Sequence, residues 1–116
     1  MIFPERWADQ WIDGWNRRDM ESLLSLYSLE IELRSPFAKV YASEGLIKGR
    51  ADVLAYWQEA IRRLPNLTFE MVKVYRGHQA LSMHYVDSIG RNSIKTVLFN
   101  DRDEAIFETN CLDRLR

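Results

Sequence analysis

Around Pro65 the hydrophobic period of the chain changes. Before it, apolar side chains recur every three to four residues, as on helices; after it they alternate, as on strands. Four alternating runs, LTFEMVKVYR, ALSMHYVDS, NSIKTVLFN and AIFETNCLDRL, are separated by the short turns GHQ, IGR and DRDE. Such turns join antiparallel neighbours, because a parallel crossover needs about a dozen residues or more. An antiparallel meander is therefore expected after Pro65. Upstream, residues 5–17 read as a helix opened by Pro4, with Glu5 where the helix dipole favours an acid. RDMESLLSLYS reads as a second helix, with Asp19 as N-cap and Leu23, Leu24 and Tyr27 on one face. LEIELRS alternates as a half-buried strand, interrupted by Pro36, and FAKVYASEGLIKG forms a loose hairpin or loop around Gly45 and Gly49. ADVLAYWQEAIRRL is a third helix, its stripe Val53, Tyr56, Trp57, Ile61 and Leu64, stopped by Pro65. Three helices followed by a meander give a single α+β domain over residues 1–116, with the helices on one face of the sheet.

The 116 residues suffice for a core without disulfide or metal staples. Sixteen basic against seventeen acidic residues leave a net charge of −1, which argues against nucleic acid or an anionic membrane as partner. No run approaches the ~20 apolar residues of a membrane span, and MIFPERW lacks a signal peptide's apolar segment. With Cys111 as the lone cysteine, a reducing compartment fits, and the expected location is the cytoplasm. Two histidines and one cysteine at no ligand spacing propose no metal, and no Gly-rich phosphate cradle or other cofactor motif is present.

The segment WADQWIDGWNRRD places Trp7, Trp11 and Trp15 four residues apart. Each step advances about 400° on a helix, so the rings form a stripe roughly 80° wide. That stripe either plugs a core or lines a pocket.

WNRRDMESLLSLYS, with its N-x-x-D joint between two helices, IKGRADVLAYW and the closing ETNCLDRL follow one another in an order that resembles the nuclear transport factor 2-like superfamily. The likeness spans nearly the whole chain and is nearest to the SnoaL-like and ketosteroid-isomerase-like branches. It implies a strongly curved, mainly antiparallel sheet wrapped as a cone on three helices, with an apolar pocket at one end. The superfold hosts isomerases, cyclases, dehydratases, adaptors and binders, so fold alone does not give function. It also implies that Trp11 faces the pocket, with Trp7 near the mouth and Trp15 in solid core. Ketosteroid isomerase works with a carboxylate base and an oxyanion hole of a tyrosine and a protonated aspartic acid. By position the tyrosine falls on Trp11, the base on Ser35 and the acid on Lys95, so that mechanism is not expected here.

Alternation puts Lys95, Val97 and Phe99 on one strand face, joined by Met83, Tyr85 and Asp87 from the preceding strand and by Thr109, Cys111 and Asp113 from the last. The family register turns that face into the cone. Lys95 then meets Asp87 or Asp113, either as an acid/base or anion-orienting device with Tyr85 beside it, or as a structural salt bridge at the rim. Trp11, Trp57, Met83, Ser35 and Phe37 are the expected ligand contacts, and Phe37 and Tyr41 either cover a ligand or anchor the loop. His84 points outward unless a bulge reverses it, His78 is solvated in its turn, Arg34 lies on the outer face and Cys111 is a small core residue. The expected ligand is a small, flat, apolar molecule carrying an acidic or carbonyl oxygen. Two functions stand side by side: an isomerase, cyclase or hydratase acting by proton transfer, or a non-catalytic ligand-binding or dimerisation domain. A homodimer through the outer sheet face is expected, with Arg76, His84, Leu98 and Leu112 as candidates.

Overall fold

The computed structural model describes residues 4–40 and 44–115. Helix α1 spans Pro4–Asn16 and α2 spans Met20–Leu24; β1 runs Tyr27–Arg34 and is followed by a 3-10 turn over Pro36–Val40. Then come β2 (Leu46–Lys48), α3 (Arg50–Arg63), β3 (Phe69–Gly77), β4 (Ala80–Asp87), β5 (Asn92–Phe99) and β6 (Ala105–Leu112). The six strands form one curved, unclosed sheet in the order β2-β1-β6-β5-β4-β3. All pairs are antiparallel except β1 with β6, which run parallel. The expected α+β class and meander are present. Two details differ: α2 ends at Leu24, so Tyr27 opens β1 instead of closing a helix, and Leu64 at the end of α3 is exposed.

The WNRRD joint has a local cause. Gly14 lies where a β-carbon would come within 3.1 Å of Leu23, which lets α1 and α2 approach closely. Arg18 adopts φ 58°, the left-handed turn that ends α1, and its guanidinium donates to the carbonyls of Trp15, Pro65 and Leu67. Asp19 then caps α2 by accepting from the Ser22 amide at 3.1 Å. Asn16 both accepts from and donates to the Phe69 backbone, each at 2.8 Å, so its amide pairs with β3 as a neighbouring strand would. The joint thus fixes α1 against the sheet.

Helix α1 packs on β3 and β4, and α3 packs on β1 and β2. The core between them is aromatic. Trp7 is fully buried, edge-on to Tyr27 and Phe99, while Trp11 stacks on Trp15 and Phe69. Trp7 therefore sits in solid core and not at a mouth.

Two bulges decide what the inner face carries. On β3, Met71 pairs with Tyr85 and Lys73 with His84, leaving Val72 as an extra residue. On β6, Phe107 pairs with Leu98 and Ala105 with Phe99, leaving Ile106 extra. Both extra residues are exposed. Beyond Ile106 the alternation of β6 is reversed, so Glu108, Asn110 and Leu112 look inward while Thr109, Cys111 and Asp113 do not.

Candidate functional site

The inner sheet face and the helices enclose a cavity of about 80 Å³. A water needs roughly 10–15 Å³ by this measure, so the space takes several waters or part of a small ligand. Its aromatic wall is Trp11, Trp15, Trp57, Phe69, Phe37, Tyr56 and Tyr85. A second chamber of about 140 Å³ adjoins it, and both are lined by Phe37, Tyr56, Ala60, Leu67 and Arg91.

Lys95 projects from the middle of β5 with 3% of its surface exposed, and its Nζ lies 3.1 Å from Oε2 of Glu108, itself 2% exposed. The same ammonium sits 3.4 Å from the centroid of the Trp11 ring, and Tyr85 flanks it at 5.7 Å. Burial pushes the Lys95 ammonium below its usual range, and the Glu108 charge opposes that shift. The other Glu108 oxygen accepts from the Tyr27 hydroxyl, which in turn accepts from Trp11 Nε1 at 2.9 Å. Indole, phenol, carboxylate and ammonium thus form one buried chain along the cavity wall. Burial, reinforced by Glu108, raises the phenols of Tyr27 and Tyr85, so both stay protonated and act as donors.

A second buried ion pair lies at the β4–β5 turn. Asp87 accepts from the amides of Ile89 and Arg91, and its other oxygen lies 2.6 Å from Arg91 Nε. Gly90, at φ 88°, supplies the left-handed residue that this turn needs. Arg91 is held over the Phe37 ring at 4.8 Å, between the two chambers.

The SnoaL-like domain pattern matches residues 8–108. The chain belongs to the SnoaL-like family. Among solved structures, a SnoaL-like protein of unknown function from Burkholderia thailandensis is similar to the SnoaL-like chain with a TM-score of 0.89 and 27% identity, covering 96% of this chain and 94% of that one. IdmH, a candidate polyketide cyclase from Streptomyces antibioticus, gives 0.80 at 16% identity, covering 95% and 91%. TerC, crystallised with polyporic acid, gives 0.80 at 14% identity, covering 95% and 91%. The last two likenesses are of fold alone. No curated protein matches the sequence.

Of the sequence candidates, Lys95, Asp87, Tyr85, Trp11, Trp57, Ser35 and Phe37 line the cavity of the SnoaL-like chain. Lys95 meets neither Asp87 nor Asp113. Asp87 is engaged by its own turn, and Asp113 lies outside the cavity wall, where it binds the Asn92 amide and side chain at 2.9 and 3.0 Å. Met83 is buried beneath the wall without lining it, and Trp15 lines the cavity that solid core was expected to fill. Leu112 faces the cavity and not the outer sheet face, whereas Cys111 is exposed. His84 keeps strict alternation, its Nε2 2.8 Å from Asn92 Oδ1. Tyr41 lies outside the described residues.

Glu108, Tyr27, Tyr56, Arg91 and Asn110 were not among the sequence candidates. Glu108 was hidden by the Ile106 bulge, which no residue type announces. Arg91 carried a readable signal: an Asp and an Arg four apart across a Gly turn can pair over a hairpin.

Proposed function

We propose that the SnoaL-like chain binds a small, flat carbonyl compound or acid in this cavity and moves a proton on it, as an isomerase, cyclase or hydratase does. The observation that carries this reading is the Lys95–Glu108 pair, buried at 3.1 Å on an aromatic cavity wall. Lys95 donates to a ligand carbonyl oxygen and stabilises the negative charge that develops there as the enolate forms. Glu108 takes the proton from the carbon beside that carbonyl and returns it at another carbon, so electrons and protons balance within the ligand. Tyr27 holds Glu108 in place, and Tyr85 and Trp11 provide a flat wall for the ligand body. The fold is shared with a candidate polyketide cyclase and with a protein crystallised with polyporic acid, which supports a flat organic ligand. The free thiol of Cys111 suits a reducing, cytoplasmic setting.

One observation favours the alternative, a binding domain without catalysis: Glu108 is already bonded by both Tyr27 and Lys95 with no ligand required. Solvent deuterium incorporation into β-tetralone, followed by proton NMR, separates the two. Exchange above buffer with the wild type, lost in the Lys95→Met/Glu108→Gln double variant, supports catalysis. Saturable binding with no exchange leaves the binding reading.

A further inference from the structure

The Arg91–Asp87 pair takes no part in the proton transfer above, and its geometry is unlike a simple salt bridge. Arg91 is 5% exposed, yet only its Nε has a hydrogen-bond acceptor among the described residues, the Asp87 carboxylate at 2.6 Å. Its two Nη groups have none, while every fully buried polar side-chain atom among those residues is satisfied. The Nη edge is therefore open to the two chambers that Arg91 lines. Asp87 fixes the guanidinium through Nε, and two backbone amides fix Asp87. Two parallel N–H groups on a rigid plane fit a carboxylate end-on, and Arg91 already rests on the Phe37 ring. Lys95 stands four residues further along the same strand face, about 13 Å away at the Cα positions.

We infer that Arg91 anchors a carboxylate of the cavity ligand, so the ligand class is a flat monocarboxylic acid whose apolar body lies along the aromatic wall toward Lys95. This rests on the cavity being a ligand site. Isothermal titration of β-naphthoate and its neutral isostere β-naphthamide into the wild type and Arg91→Gln tests it, with Arg91→Lys as the variant that keeps the charge but loses the fork. The wild type is expected to prefer the acid on the order of 10- to 100-fold, and Arg91→Gln to remove that preference, with naphthoate affinity falling far more than naphthamide affinity. Arg91→Lys should retain part of it. An acid-to-amide ratio unchanged in Arg91→Gln overturns the Arg91 assignment and leaves the cavity reading standing. If neither compound binds the wild type, the cavity reading fails and this inference fails with it.

Discussion

Lys95 and Glu108 are each costly to bury alone and tolerable only together. Lys95→Met and Glu108→Gln should each lower stability by about 3 kcal/mol or more, because each strands the other charge. The double variant should fall well short of their sum, since it strands none; urea unfolding of the four proteins measures this, and additive losses would mean the pair is not coupled. The tyrosines set the alkaline limit. Burial and the Glu108 charge hold Tyr27 and Tyr85 above the usual phenol value of 10, to which unfolding returns them. Above pH 10 the unfolded chain gives up phenolic protons that the folded chain keeps, so stability falls as pH rises through that window. Lys95 has the opposite sign: its folded value lies below its unfolded 10.5, so its cost is relieved as pH climbs toward that value. Burial raises the Tyr56 phenol too, so with three phenols against one ammonium the urea midpoint should drop from about pH 8 to about pH 11, and by less in Tyr85→Phe. Lys95 was legible as a site residue because its strand alternates without interruption. Its partner was not, because choosing between Glu108 and Asp113 depends on a single extra residue.

Among the elements, the meander positions the chemistry. The turn between β4 and β5 holds Arg91 through Asp87 and depends on Gly90 at φ 88°. Gly90→Ala should cost about 1–2 kcal/mol from backbone strain alone, read as a shift in urea midpoint. It should also weaken acid binding, because Asp87 and Arg91 are aligned by that turn; an unchanged midpoint would mean the turn relaxes freely. Helices and strands were legible to within a few residues, since α1, α3, β4 and β5 each keep one period throughout, and β3 and β6 alternate on either side of a single bulge. Short elements were less so. α2 ends three residues before Tyr27, and the 3-10 turn and three-residue β2 are too brief for a period to register. The bulges at Val72 and Ile106 were invisible because bulge residues follow from how a curved sheet accommodates its twist, not from their own type.

At the scale of the molecule, the outer sheet face leaves Tyr75 of β3 and Ile94 and Leu98 of β5 exposed, with Ile94 at 44% and Leu98 at 41%. We propose that a second copy of the chain covers this face. Sedimentation equilibrium at micromolar concentration should show a dimer that Ile94→Asp/Leu98→Asp converts to a monomer; a wild-type monomer would reject the interface. The larger claim is that the aromatic cavity is a ligand site organised by the Lys95–Glu108 pair. Because the Lys95 ammonium lies 3.4 Å from the Trp11 ring, a ligand oxygen arriving at Lys95 must alter tryptophan emission. Titrating a panel of aromatic carboxylates and enones against intrinsic fluorescence should give saturable changes in the wild type, weakened about tenfold or more in Lys95→Met/Glu108→Gln. Emission unmoved by every compound, or equal affinities in both proteins, would contradict it.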